Sequence, residues 1–241
     1  MTRGVWPALV YFHGGGWVVG DLDSTESQCG IIAREAGCKV VSVQYRLAPE
    51  HKFPAGVEDA YAATGYISKH ASDLGIDPTR LAVGGDSAGG NLAAVVSWMA
   101  KDRGGPPICY QLLIYPITDF SFTTPSYIDY ADGYLLTQKA MEWYWKHYLN
   151  APDEGHHPYC SIMRAAYLQG LPPALIITAE FDPLRDEGEA YGRRLKESGV
   201  QAEIRRYDGM IHGFLFMDAA LPQGRQGLKD CAAALRLAFN R

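Results

Sequence analysis

The stretch Arg80–Leu92, RLAVGGDSAGGNL, carries a short apolar run into a glycine-rich turn, and the turn into a helical pattern. Within it, Gly85-Asp86-Ser87-Ala88-Gly89 reads G-x-S-x-G. Between a strand and a helix, such a sequence forms a sharp turn that lifts the serine clear of a sheet. The flanking glycines permit the strained backbone and close packing of the helix. The serine also falls at a helix N-terminus, where free N–H groups and the helix dipole favour negative charge. Alone, G-x-S-x-G is common by chance, and a glycine-rich turn with an incidental serine explains it equally well. The rest of the chain has to decide between the two.

Outward from this turn, short apolar runs recur at Ala8–Phe12, Val40–Tyr45, Leu81–Gly84, Gln111–Tyr115, Ala174–Thr178 and Ala202–Tyr207. Most are nearly continuous in hydrophobicity, as strands buried on both faces should be. Helical patterns lie between them. Val57, Ala60, Tyr61, Thr64 and Ile67 recur at helical spacing, as do Leu92, Val95, Val96 and Met99, so both segments read as amphipathic helices. Asp23-Ser24-Thr25-Glu26 predicts a helix start with a capping side chain, and Gly37 its stop. Strand and helix alternate, which predicts an α/β fold: a mostly parallel central sheet of about six strands with helices on both faces. The alternation breaks between Pro116 and Leu171, where a helical insertion near 117–170 is expected. Its segment Met141–Leu149, MEWYWKHYL, puts Met141, Tyr144, Trp145 and Tyr148 on one helical face. That face either packs on the domain or lines an acyl pocket, and the two readings are compatible.

With 241 residues, no repeat and no linker-like tract, a single domain over 1–241 is expected. A hydrophobic content of 47% provides an ample core. The net charge of −5 and the absence of a Lys/Arg cluster argue against nucleic acid or an anionic membrane surface as partner. Cys29, Cys38, Cys109, Cys160 and Cys231 are odd in number, widely spaced and without C-x-x-C, so reduced thiols in a cytoplasmic protein are expected. The apolar run Val5–Phe12 is too short to span a membrane, and no small-residue cleavage pattern follows it.

A reactive serine needs a base, and the base needs an orienting acid. Of the seven histidines, only His212 follows a late strand in a glycine-flanked loop, YDGMIHGF. Parallel sheets build their sites at the C-terminal ends of their strands. His156-His157 has no second cluster of ligands beside it, so no metal site is expected. For the acid, Asp182 lies just past the run ALIITAE, while Asp186 and Glu187 fall where a helix should begin and cap it by default. Asp182 is favoured, with Asp186 as the alternative. The order Ser, Asp, His is the one used on α/β-hydrolase folds. Gly14-Gly15-Gly16, after the first strand, offers N–H donors that no side chain obstructs, as a developing oxyanion requires, and the N–H of Ala88 adds another. A tight turn or a phosphate loop would also use glycines, but neither phosphate-loop fingerprint is present.

The segments HGGGW, YRLAPEHKFPA, GGDSAGGNLA, LIYP, ADGYLLT, LPPALIITAEFDPLRDEGE and YDGMIHGF run in this order from His13 to Phe214. Together they resemble the hormone-sensitive-lipase-like esterases, family IV of the bacterial lipolytic enzymes. The resemblance implies an α/β-hydrolase fold, Ser87 as nucleophile, His212 as base, Asp182 as its orienter, and an oxyanion hole from Gly15, Gly16 and Ala88. It also implies that His13 braces the glycine loop. Members of that family carry several tens of residues before their HGGG motif, whereas twelve precede His13 here. The chain is therefore expected to be a short form without the usual N-terminal cap and first two strands.

The expected activity is that of a serine carboxylesterase on short-acyl esters, with no metal or organic cofactor and with Trp17 and Tyr115 beside the substrate. The alternatives are a non-catalytic ligand-binding protein on the same scaffold, or a serine amidase or peptidase. In the family's strand order, this chain's second run stands outermost, followed by the first and then the third to sixth. Lys39–Tyr45, KVVSVQY, then forms an apolar edge that invites pairing with a second copy, so a homo-oligomer is expected.

Overall fold

The computed structural model describes residues 5–240. Its frame is a sheet of six strands: β1 (Trp6–Phe12), β2 (Lys39–Val43), β3 (Ile76–Asp86), β4 (Tyr110–Ile114), β5 (Ala174–Phe181) and β6 (Ala202–Ile211). Their order is β2-β1-β3-β4-β5-β6, as expected, and every pairing is parallel.

The nearly continuous apolar runs are explained by the two faces they serve. Ala8, Val10, Phe12, Val83, Leu113 and Ile176 join one buried cluster, while Leu9, Tyr11, Ala82, Leu112 and Ile177 join another on the opposite face. Successive strand residues point to opposite faces, so a sheet covered on both sides needs apolar residues at consecutive positions. The first face is covered by α2 (Ala55–Lys69), α3 (Ala88–Asp102) and α6 (Arg185–Glu197), and the second by α1 (Glu26–Ala36) and α7 (Pro222–Phe239).

Three expectations need adjusting. First, the start of α1 lies one short 3-10 turn later than predicted. In that turn, Asp23–Thr25, Ser24 N–H donates to Asp21 Oδ1 at 2.8 Å, while α1 itself starts at Glu26 with no side-chain cap. Gly37 ends the helix as expected, with φ of 66°. Second, β2 stops at Val43, and Tyr45 leaves the sheet to stack on His13. Third, α3 is not amphipathic: it is buried on all sides from Ala88 to Ala100. Its outer side lies under the long connection between β4 and β5. There Asn91 Nδ2 donates to the carbonyls of Ile117 and Cys160, and Trp98 Nε1 donates to that of Tyr167. A helix with a second layer over it buries its whole circumference.

That connection holds two helices, α4 (Pro125–Asp129) and α5 (Gln138–Tyr148). Thr137 caps α5 by accepting the Ala140 N–H at 3.1 Å. Met141, Trp145 and Tyr148 of α5 are buried, as the helical spacing predicts, while Tyr144 is half-exposed.

Candidate active site

Strand ends build the site. Ser87 follows β3 directly, with φ 56° and ψ −117°. This is a backbone region that costs a non-glycine residue of order 1–3 kcal/mol and persists only where its surroundings over-determine it. Here the Ser87 N–H donates to Ile114 O at 2.8 Å, and its carbonyl accepts from Asn91 N–H at 3.0 Å. The turn also needs bare glycine for packing. A Cβ on Gly89 would lie 1.9 Å from Phe12 O, and one on Gly85 would lie 2.4 Å from the same oxygen. Trp17, Tyr115 and Leu135 are the other described non-glycine residues with positive φ, so backbone strain is concentrated in the segments around Ser87.

His212 is the first residue after β6, and Asp182 the first after β5. His212 Nε2 lies 3.1 Å from Ser87 Oγ, and His212 Nδ1 lies 2.7 Å from Asp182 Oδ2. Asp182 is wholly buried, and its Oδ1 accepts the Leu184 N–H at 2.9 Å. A carboxylate only accepts, so Nδ1 must carry the imidazole proton and Nε2 is left free to accept from the serine hydroxyl. Asp186 takes no part in this chain of contacts. In the first turn of α6 it accepts from Arg185 Nε and from the Ser126 N–H, each at 2.8 Å.

The glycine loop follows β1. Gly15 has φ 106° and Gly16 φ 59°, and the Gly15 carbonyl accepts the N–H groups of Val18 and Val19. The Tyr144 ring lies flush on Gly16, where an added Cβ would meet it at 2.2 Å. His13 is sealed beneath the loop: its ring stacks on Tyr45 with centroids 4.4 Å apart, and its Nδ1 lies 2.7 Å from Gly14 O. Burial pulls the His13 pKa down, so the ring is neutral at ordinary pH. Ala88 opens α3, where the leading N–H groups have no acceptor within the helix.

Gly15, Gly16, Ser87, Tyr115 and His212 line one pocket of about 340 Å³, with Leu136, Met141, Tyr144 and Phe216 as apolar walls. The Tyr115 ring lies 4.6 Å from the His212 ring. Trp17 was expected beside the substrate and is not among the lining residues. Its ring is buried against Tyr148 at 4.3 Å and Trp145 at 4.6 Å, where three aromatics pack together out of water. The wall expected of Trp17 is supplied by α5 instead. Larger hollows of about 510 Å³ lie at the opposite ends of the strands, around Tyr110 and Pro173, away from Ser87 and His212. Among the described residues, no group of three His, Cys, Asp or Glu side chains is arranged to hold a metal ion.

Residues 9–216 match the family described by the α/β-hydrolase fold. The chain belongs to the α/β hydrolases, in their hormone-sensitive-lipase-like branch of esterases. It is 45% identical to the carboxylic ester hydrolase LipN of Mycobacterium tuberculosis over 99% of its own length and 65% of LipN's. It is 41% identical to the carboxylesterase NlhH of the same organism, over 97% of this chain and 74% of NlhH. Among solved structures it resembles EstE1, a thermostable carboxylesterase cloned from a metagenomic library. The TM-score is 0.96 at 43% identity, covering 99% of this chain and 82% of that one. The chain thus spans about two thirds to four fifths of the length of these relatives.

Asp86 is the residue of the Ser87 turn that sequence reasoning passed over. It occupies a variable position of G-x-S-x-G, and no local pattern ties it to the distant Gly14.

Proposed function

We propose that this α/β hydrolase is a serine carboxylesterase acting on short-acyl esters. The observation that carries the reading is the unbroken contact from Asp182 through His212 to Ser87, at the floor of a pocket also lined by Gly15 and Gly16. Ser87 Oγ attacks the ester carbonyl as its proton passes to His212 Nε2. The C=O bond electrons move onto oxygen, which the N–H groups of Gly15, Gly16 and Ala88 receive. The tetrahedral intermediate collapses, His212 protonates the departing alcohol, and an acyl-serine remains. Water then repeats the sequence with His212 as base and releases the acid. Asp182 holds the imidazole tautomer throughout and balances its transient charge.

A non-catalytic binding protein would have no use for the paid strain at Ser87 or for the triad. Amide cleavage uses the same groups, and comparing butanoyl p-nitrophenyl ester with butanoyl p-nitroanilide separates the two activities. The walls of Leu136, Met141, Tyr144 and Phe216 close over a volume at the small end of ligand pockets. Acyl chains of about four to six carbons are therefore expected to react fastest. A series of p-nitrophenyl esters measures this, and faster turnover of the dodecanoyl than the butanoyl ester would contradict it.

Among the described residues, no helix is long and apolar enough to cross a membrane. The five cysteines are odd in number, widely spaced and without C-x-x-C, which supports a reducing, cytoplasmic setting. β2 is the outermost strand of the described sheet, and its Val40, Val41 and Val43 are half-buried without a strand beyond them. An apolar edge of this kind recruits another strand, and a homo-oligomer built on β2 is expected. Sedimentation at micromolar concentration should find a dimer or larger species that Val41→Lys or Val43→Lys dissociates. A single monomeric species unchanged by either substitution would exclude this edge.

A further inference from the structure

Asp86 is buried, 3% exposed, and has no task in the reaction above. Its Oδ1 accepts two hydrogen bonds, from the Tyr11 hydroxyl at 2.9 Å and from the Gly14 N–H at 3.0 Å. The β1–β3 ladder ends at Phe12 and Gly85, so the Asp86–Gly14 contact continues the tie between these strands beyond their last paired residues. It leaves little slack, since a Cβ on Gly14 would lie 2.2 Å from Asp86 Oδ2.

The contact acquires its meaning from the peptide groups around it. The carbonyl of His13 and the N–H of Gly14 belong to one planar unit. Tyr45 Oη donates to that carbonyl at 2.8 Å, while Asp86 accepts from that N–H, so the plane is held at both ends. The next unit is held by its Gly14 carbonyl, 2.7 Å from His13 Nδ1. The third is held by its Gly15 carbonyl, which accepts from Val18 and Val19. In a trans peptide the N–H points opposite to its carbonyl. These three anchors therefore set the directions of the Gly15 and Gly16 N–H groups, and the first anchor is the one tied to the nucleophile turn.

We propose that Asp86 is a positioning residue for the oxyanion hole: through Gly14 it fixes the glycine loop against the turn that carries Ser87. The proposal rests on the esterase reading for its catalytic consequence, but the contact itself does not. The titratable groups facing Asp86 are Tyr11 on β1, Cys29 on α1, Tyr45 after β2, Tyr115 after β4 and His212 after β6. Burial pushes the three phenols and the thiol up, so they stay neutral near pH 7. Burial also pushes the Asp86 carboxyl up to about 6, against the pull of the Tyr11 hydroxyl, His212 and the Gly14 N–H. A protonated carboxyl accepts more weakly than a carboxylate. The hold on Gly14 therefore slackens as pH falls through about 6.

Two readouts test this. On p-nitrophenyl butanoate, Asp86→Ala should lower kcat by about 10²-fold with KM within about threefold, the pattern of a lost transition-state contact. Asp86→Asn keeps an acceptor oxygen but cannot ionise. Its acid limb of kcat/KM should fall with one ionisation where the wild type falls with two. An unchanged acid limb in Asp86→Asn, or a rise in KM alone in Asp86→Ala, overturns the proposal. The second readout needs no turnover. In Ser87→Ala, the Gly14 amide resonance should titrate with a midpoint near about 6, and Ser87→Ala/Asp86→Asn should abolish the titration. A Gly14 amide that stays flat overturns the proposal whatever the activity. A titrating Gly14 in a wild type that hydrolyses no ester upholds the contact and removes the esterase reading instead.

Discussion

Ser87→Ala and His212→Ala are each expected to lower kcat for p-nitrophenyl butanoate by about 10⁴-fold or more. In the proposed mechanism the contact of 3.1 Å between Ser87 Oγ and His212 Nε2 makes the two act as one nucleophile, so removing either would remove the concerted attack. The double variant should therefore be no worse than the single ones by more than a few-fold, as members of a unit are not additive. Folding should survive. Ser87→Ala deletes one oxygen, and the backbone contacts with Ile114 and Asn91 that hold the strained turn are unaffected. Steady-state kinetics on variants with unchanged circular dichroism checks this. Wild-type turnover in Ser87→Ala would remove the mechanism.

Asp182→Asn is expected to cost about 10³–10⁴-fold in kcat, and Asp186→Asn less than about tenfold. The reason is geometric. Asp182 Oδ1 accepts the Leu184 N–H at 2.9 Å, which in the amide variant directs the oxygen to Leu184 and the NH₂ group to His212. The NH₂ group donates, so Nδ1 must become the acceptor and Nε2 must carry the proton. The imidazole then meets the Ser87 hydroxyl in the wrong tautomer to take its proton. Asp186 binds Arg185 and the Ser126 N–H, joining α6 to α4, and its neutralisation should appear in thermal stability before it appears in kcat. Measuring both variants side by side decides the acid, and the reverse ranking would assign it to Asp186.

Much of this protein follows from local rules. A strand covered on both faces needs consecutive apolar residues, so six such runs announced six strands, and their alternation with helices announced parallel pairing. G-x-S-x-G between a strand and a helix placed Ser87 at the crest of a turn for reasons contained in a few residues. Asp182 and His212 were legible because each is the first residue past a strand, and parallel strands deliver such residues to one edge of the sheet.

What the sequence could not disclose depends on contacts between segments far apart in the chain. Helical spacing marked Leu92, Val95 and Met99 as one apolar face of α3, but the layer of residues above α3 buries its other face too. Trp17 follows Gly15 and Gly16 directly in sequence and still turns away from the pocket they line. The stack with Trp145 and Tyr148 exists only once α5 has docked, and Tyr144 of α5 takes the wall instead. Asp86 and Gly14 are separated by 72 positions, and their hydrogen bond arises because β1 and β3 lie side by side. Periodicity and turn chemistry act over one or two turns of chain. Which buried donor meets which acceptor is settled by the packing of the whole sheet and its layers.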